Sequence, residues 1–222
     1  IVPFRMEGVR PTGLPPLPGI SAFNELNLRT YVIDEEGIPG VWFFSLDADG
    51  WLGVKVARAL WGLPYYHARM EHAPPAAPGR PAVFRSLRRA PAATVYEEFE
   101  YTPTGTPAPA EPGTLAFFLV ERYVVFSAAA HAETFARTGR APRRPAPLRR
   151  GRVHHPPYRI QPVDTESLRA TTGLFALAGL PEPGSPPAHA CYAPGVDVSV
   201  TWPEPVEPSE NTSGNTGCED TV

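Results

Sequence analysis

Two short segments carry the side chains best suited to binding a polar ligand or moving a proton. In residues 22–33 (AFNELNLRTYVI) the side chains alternate, which predicts a β-strand with Glu25, Asn27 and Arg29 on one face and Leu26 on the other. This face has two interpretations. It is either a solvated strand surface with a Glu–Arg pair, or it is the wall of a pocket in which the Glu25 carboxylate has Arg29 as its partner.

The second segment is residues 65–71 (YYHARME), which alternates in the same way. Tyr65 and His67 share one face and Tyr66 lies on the other, so only one of the two adjacent phenols can reach a given pocket. A phenol has a reference pKa of about 10 and is neutral at pH 7. It can therefore donate a hydrogen bond or stack on a ligand, but it cannot form an imine as a lysine amine does.

Other reactive side chains form no recognisable site. His154 and His155 are adjacent in a predicted strand, so their rings point to opposite faces, and no metal-ligand spacing links them to another histidine or a carboxylate. No glycine-rich phosphate loop, GxSxG elbow or HExxH motif occurs. The two cysteines, Cys191 and Cys218, form no CxxC pair. We therefore expect no metal and no cofactor, and the low cysteine content favours a reducing cytoplasm.

The charge and composition disfavour two classes of partner. The net charge is -3, and no apolar run approaches the roughly 20 residues needed to span a bilayer. The Arg- and Pro-rich segment 137–152 contains seven arginines, but its interleaved prolines and lack of aromatic residues favour a solvated loop over a phosphate-binding surface. We expect neither nucleic acid nor a membrane as a partner, while a homo-oligomer remains open.

The remaining pattern predicts a fold rich in β-structure. Helices are predicted at 51–61, 114–122 and 164–170, and in the first of them Leu52 and Leu60 lie on one apolar stripe with Val56. Residues 1–6 are predicted to be the end of a strand, and the other predicted strands are 22–33, 41–46, 65–71, 82–89, 94–101, 123–127, 188–192 and 196–201. Strands and helices do not alternate, which disfavours a parallel doubly wound sheet. The sequence predicts an α+β fold: a mainly antiparallel sheet curled into a barrel, with a few short helices outside.

The helix and turn before Tyr65 resemble a known signature. The run Leu60-Trp61-Gly62-Leu63-Pro64 is similar to the acetoacetate decarboxylase motif, in which a helix ending in Trp-Gly-Phe-Pro is followed at once by two lysines. Tyr65 and Tyr66 stand in place of those lysines. The strand around Glu25 resembles the one that carries a buried active-site glutamate in that superfamily. The resemblance implies a cone-like barrel, but without the amine that performs the family's imine chemistry.

The overall resemblance is to the YqjF-like proteins, an uncharacterised bacterial branch of the acetoacetate decarboxylase-like superfamily. The phrases that carry it are VPFRM (2–6), ELNLRTYV (25–32), GVWFFSLDA (40–48), VERYVVFS (120–127), VHHPPY (153–158) and YAPGVDV (192–198). It implies a single domain over 1–206, with one or two family strands expected before Ile1. Residues 207–222 are polar and acidic, which predicts a disordered tail.

Three functions remain open from the sequence. The first is a small-molecule-binding barrel whose pocket includes Glu25, Arg29, Tyr65 or Tyr66, and His67. The second is an acid–base enzyme acting on a small carbonyl or carboxylate compound, with Glu25 as the candidate catalytic base and a tyrosine or His67 as the proton donor. The third is a non-catalytic interaction domain, which a large exposed apolar surface without a pocket would favour.

Overall fold

The computed structural model describes residues 1–89, 94–128 and 147–206. In these residues the strands are β1 (Val2–Pro11), β2 (Phe23–Ile33), β3 (Pro39–Ala48), β4 (Tyr65–Ala73), β5 (Ala82–Arg89), β6 (Thr94–Tyr101), β7 (Ala108–Pro109), β8 (Val124–Ser127), β9 (Arg149–His154), β10 (Arg159–Pro162), β11 (Arg169–Thr171), β12 (Cys191–Tyr192), β13 (Val196–Val200) and β14 (Glu204–Pro205). The helices are α1 (Trp51–Trp61), α2 (Leu115–Val120) and α3 (Leu174–Leu177). No helix in this described part of the chain is long and apolar enough to cross a membrane.

Six strands close into a barrel in the order β1-β2-β3-β8-β9-β13, and β13 returns to β1. The β1–β13 and β3–β8 pairings are parallel, and the other four are antiparallel. The predicted α+β fold with a mainly antiparallel sheet curled into a barrel is confirmed. The two parallel pairings, which join strands far apart in the sequence, make the barrel mixed.

The sheet divides at β3. The first half of β3 pairs with β8 through Val41 and Trp42 and so stays in the barrel. Its second half, Leu46 to Ala48, pairs in parallel with β4, which begins a second sheet in the order β4-β5-β6-β11. The end of β3 therefore joins the barrel to the outer sheet.

The outer sheet packs against one face of β2. Leu26 and Leu28 belong to a buried cluster with Phe84, Phe99 and Leu174. Because β5, β6 and α3 lie outside the ring of six strands, this face of β2 points away from the barrel interior. Side chains alternate along a strand, so the opposite face, which carries Glu25, points into the barrel.

Helix α1 has the predicted bounds but buries a different face. The stripe Leu52, Val56 and Leu60 is exposed, with 44%, 42% and 41% of each residue accessible. Val54 is the buried residue of the helix, and it packs against Phe23. The predicted stripe therefore faces solvent, and the helix packs on the barrel through Val54.

The structure differs from the sequence-based predictions at residues 164–170 and at residues 149–152. Residues 164–170 do not form a helix: the Asp164 carboxylate accepts a hydrogen bond from the Glu166 backbone N–H at 3.0 Å and closes a turn, and β11 follows. Of the Arg-rich segment, 149–152 lies in β9, where Arg150 pairs with Asp34 and Glu36. The rest of that segment up to 146, and the tail 207–222, lie outside the described residues, so those predictions stay predictions.

Candidate functional site

Glu25 is buried in the barrel interior, where only 2% of the residue is exposed. The Tyr65 hydroxyl donates a hydrogen bond of 2.6 Å to its Oε2 atom. The Asn27 side-chain amide donates a longer one, of 3.4 Å, to its Oε1 atom. Both carboxylate oxygens therefore have a donor from within the chain.

This environment moves the pKa of both acidic groups. Burial raises the pKa of Glu25 to about 7, against the opposing effects of the hydrogen bonds from Tyr65 and Asn27 and the charge of Arg29. Burial and the neighbouring Glu25 raise the pKa of Tyr65 well above 10. At neutral pH the phenol remains a hydrogen-bond donor, while the carboxyl group can either hold or release its proton.

The turn after α1 delivers Tyr65 to this position. Gly62 ends the helix with a φ of 62°, a left-handed conformation that favours glycine, and its N–H donates to the Arg58 carbonyl. The Pro64 carbonyl then accepts a hydrogen bond of 3.1 Å from the Leu46 N–H, and Tyr65 pairs with Leu46 at the start of β4. The frame that resembles the family signature thus sets the direction of the Tyr65 side chain.

Arg29 shares the strand face of Glu25 but bonds elsewhere. Its Nη2 donates to the Leu119 carbonyl at 2.8 Å, and the Tyr31 hydroxyl donates to the same oxygen at 2.9 Å. The charge of Arg29 acts on Glu25 through space. The predicted Glu25–Arg29 partnership is therefore electrostatic, without a direct hydrogen bond among the described residues.

Tyr66 points to the opposite face of the sheet. The guanidinium of Arg88 lies 4.1 Å from the centre of its ring, and Arg88 in turn pairs with the buried Asp47 and contacts Ser45. His67 is exposed to solvent. Of the candidate residues, the structure brings Glu25 and Tyr65 together and leaves Tyr66 and His67 out of that contact.

Tyr158 belongs to the same neighbourhood, although the sequence did not single it out. Burial raises its pKa to about 12, and the charges of Arg29 and Glu25 both act on its phenol. Its backbone N–H donates to Glu121 at 3.0 Å, and its ring lies 4.6 Å from that of His155. The available signal was the VHHPPY phrase (153–158), which carries part of the family resemblance and in which only the histidines were candidate side chains.

One cavity among the described residues lies apart from this pair. Its volume is about 60 Å³, and it is lined by Trp42, Phe43, Phe44, Gly62, Leu63, Pro64, Phe126, Ser127, Ala128 and Ala178. Neither Glu25 nor Tyr65 is among these lining residues. Tyr65 instead packs against Phe23, Ala48 and Val54. A ligand that reached Glu25 would have to displace some of these contacts.

The side chains that usually bind metal ions are dispersed in the described residues. Over 1–89, 94–128 and 147–206, no three His, Cys, Asp or Glu side chains come together in a group that could hold an ion. Of the two adjacent histidines, His155 stacks on Tyr123 with ring centres 4.6 Å apart, and His154 is exposed.

Comparisons with known proteins give the relationships of the chain. The family model DUF2071, described as "Uncharacterized conserved protein", matches residues 1–197. The chain is 34% identical over 204 residues to the "Uncharacterized protein YqjF" of Bacillus subtilis (strain 168), covering 91% of this chain and 74% of that relative. The predicted resemblance to the YqjF-like proteins is confirmed.

A solved structure supports the fold. The acetoacetate decarboxylase of Legionella pneumophila superposes with a TM-score of 0.55, covering 86% of this chain and 69% of that chain at 13% identity. At that identity the match shows an acetoacetate decarboxylase-like fold and carries no statement about activity.

Proposed function

This chain belongs to the DUF2071 family, and we propose that its barrel binds a small polar molecule at the Glu25–Tyr65 pair. The observation that carries the proposal is the 2.6 Å hydrogen bond from the Tyr65 hydroxyl to a carboxyl group buried inside a closed barrel. A buried carboxyl group is costly unless it is well bonded. Such groups are commonly kept where they contact a ligand or a substrate.

Unsatisfied polar atoms beside Glu25 support the proposal. The Oδ1 atom of Asn27 and the Nε atom of Arg29 are buried without a hydrogen-bond partner among the described residues. Most buried polar atoms in folded proteins have a partner, which can be an ordered water or a ligand. A molecule with one donor and one acceptor, placed beside Glu25, would satisfy both atoms.

Imine chemistry is not part of this proposal. The resemblance to the acetoacetate decarboxylase signature places two lysines where this chain has Tyr65 and Tyr66. The only lysine in the sequence is Lys55, an exposed residue of α1. A phenol cannot form an imine, so binding through hydrogen bonds replaces covalent capture of a ketone.

A second candidate function is acid–base catalysis, which the Glu25 pKa of about 7 specifically favours. In this reaction the ionised Glu25 removes a proton from the carbon next to a carbonyl group of the substrate. The electron pair moves to the carbonyl oxygen, and the Tyr65 hydroxyl donates its hydrogen bond to that oxygen instead of to Glu25. The charge of Arg29 would favour a substrate that also carries a carboxylate.

A thermal-shift screen of small carboxylates, ketones and hydroxy acids tests the proposal on the full chain. A ligand present at 100 times its dissociation constant stabilises the folded protein by about 2.7 kcal/mol, which is readily seen as a rise in Tm. We expect the rise to be lost in Glu25→Gln and Tyr65→Phe and kept in the matched control Tyr66→Phe. A ligand that stabilises Glu25→Gln as strongly as the wild type would refute the site. If no compound in the screen raises Tm, the binding proposal fails and a non-catalytic interaction domain is favoured.

A further inference from the structure

We propose that Asp47, Arg88 and Tyr66 form a positioning unit, on the face of the sheet opposite Glu25, that holds the Tyr65 hydroxyl in contact with the Glu25 carboxyl group. The inference rests on the proposed function, because it assigns these residues a role in the same site. None of the three needs to touch a ligand. They act through the start of β4, which they fix from the other side.

The unit is buried and charged. Asp47 is fully buried and Arg88 is 4% exposed. Arg88 Nε donates to Asp47 Oδ2 at 3.0 Å, and its Nη2 contacts both Asp47 and the Ser45 hydroxyl. Taking both charges out of water costs several kcal/mol, so a buried ion pair often adds little net stability over an apolar replacement. A buried ion pair can instead fix one conformation of the chain. Here it would fix the position of β4, the strand on which Tyr66 lies.

Tyr66 is held from two directions. Its backbone pairs with Asp47 across the β3–β4 ladder, and its ring lies under the Arg88 guanidinium, 4.1 Å from the guanidinium carbon. Arg88 is in turn fixed by the side chain of the same Asp47. The three residues therefore close a loop of contacts that joins β3, β4 and β5.

The β3–β4 ladder needs such a fixing contact because it is short. It consists of three pairs, Leu46 with Tyr65, Asp47 with Tyr66, and Ala48 with His67. A slip of one residue would turn every side chain of β4 to the other face of the sheet. It would replace Tyr65 by a neighbour at the Glu25 carboxyl. The contact between Arg88 and Tyr66 fixes the register of β4, so that Tyr65 and not Tyr66 faces the barrel.

The same unit also acts on Glu25 by charge. The charged and titratable groups that influence Glu25 are Tyr65, Arg29 and Asp47, together with the phenol of Tyr158. Of these, the Asp47 carboxylate raises the pKa of Glu25 from across the sheet. Glu97, which is equally buried in the outer sheet, interacts by charge with both Asp47 and Arg88, so it is not independent of the unit. The exposed Glu100 of the same sheet is not among the groups that shift Glu25, and it serves as the control.

The test measures the pKa of Glu25 in the unliganded full chain, by isotope-edited infrared spectroscopy of the carboxyl stretch with labelled glutamate. Asp47→Asn keeps the shape of the side chain but removes the charge that raises the pKa of Glu25, so this pKa should fall. Tyr66→Leu leaves the ion pair but removes the stacked ring, which loosens Tyr65, so the pKa of Glu25 should rise. Glu100→Gln should leave it unchanged.

The rise expected in Tyr66→Leu separates positioning from a structural role, whereas the fall expected in Asp47→Asn reports the charge of Asp47. A purely structural unit would lower Tm in Tyr66→Leu without moving the Glu25 pKa, and that result would overturn the proposal. Because Asp47→Asn leaves a buried arginine without a counter-charge and can fail to fold, Tyr66→Leu is the deciding variant. Both measurements are made without a ligand, so a failed ligand screen would refute the binding proposal and leave this result standing.

Discussion

Tyr65 and Tyr66 are adjacent in the chain but serve opposite faces of one sheet. The Tyr65 hydroxyl lies 2.6 Å from Glu25 inside the barrel, and the Tyr66 ring lies under Arg88 in the outer sheet. The β3–β4 register produces this division, because it pairs Tyr65 with Leu46 and Tyr66 with Asp47. Two adjacent residues of the same type therefore have different environments and different expected roles.

The first prediction concerns the stability of the protein against pH. The pKa of Glu25 is raised from 4.5 to about 7 in the folded state, so between these values the folded chain binds more protons than the unfolded chain. The free energy of unfolding should therefore fall as pH rises through this window, by roughly 3 kcal/mol from this group. In Glu25→Gln that decline should be smaller by the same amount.

Urea unfolding at pH 5 and pH 8 measures this difference. The buried Glu97 also has a raised pKa, but it is not among the groups that act on Glu25, so it titrates in the wild type and the variant alike and cancels in the comparison. Glu100→Gln, on the exposed side of β6, is the control and should behave as the wild type does. Equal declines in the wild type and Glu25→Gln would show that Glu25 ionises normally.

The second prediction compares the two phenols. Tyr65→Phe removes the hydrogen bond that lowers the pKa of Glu25, so this pKa should rise above its wild-type value. At pH 8, where the carboxylate is ionised, the lost bond should cost roughly 2 kcal/mol of stability. Tyr66→Phe keeps the ring under Arg88 and should change neither quantity. Infrared titration of Glu25 and urea unfolding check the pair, and equal effects of the two variants would contradict the assigned geometry.

The sequence was sufficient for much of the fold, because its elements are specified locally. Alternation predicted β2 and β4, and the stop signal Gly62-Leu63-Pro64 predicted the end of α1. The parallel β3–β4 and β3–β8 pairings were beyond that reasoning, because they join residues that no local pattern relates. The missed turn at Asp164 shows the same limit, since one carboxylate can cap either a helix or a turn.

The candidate site was predictable where local alternation decides which side chains share a face of a strand. Alternation predicted Glu25, Asn27 and Arg29 on one face, and the hydrogen bond from Asn27 to Glu25 joins two of them. Both faces of this part of β2 are buried, however, so only the position of β5 and β6 reveals which of them is the barrel interior. Tyr158 lies more than 130 positions along the chain from Glu25, and only the folded barrel brings its phenol into the same electrostatic field.

The third prediction tests which face of α1 is buried. Val54 is 5% exposed and packs against Phe23, so Val54→Ala should destabilise the protein by roughly 2 kcal/mol. Leu52 is exposed, so Leu52→Ala should change stability by less than about 0.5 kcal/mol. Both substitutions introduce the residue with the best helix propensity, which makes them a matched pair. Chemical unfolding distinguishes them, and a larger loss in Leu52→Ala would mean that its stripe is covered by a partner.

The fourth prediction concerns two glycines of the α1 region. Gly62 has a φ of 62°, so Gly62→Ala should cost about 1 kcal/mol through backbone strain. Gly53 lies within the helix, and a Cβ there would meet Phe23 at an ordinary 3.8 Å. Gly53→Ala should therefore stabilise the protein by about 0.5 to 1 kcal/mol. Thermal unfolding of both variants checks the signs, and two changes of the same sign would argue against the helix end described here.

The fifth prediction concerns covalent chemistry at the only lysine. Trapping with acetoacetate and borohydride reduces an imine to a stable amine, which mass spectrometry detects as an added mass on the lysine-containing peptide. Lys55 lies on the exposed side of α1 with its ammonium 4.0 Å from the centre of the Trp51 ring. It has no buried site in which a neutral amine and a bound ketone could meet, as imine formation requires. We expect no adduct on the Lys55 peptide, with an acetoacetate decarboxylase as the positive control. A stoichiometric adduct that disappears in Lys55→Arg would show that this chain performs imine chemistry with a lysine outside the signature.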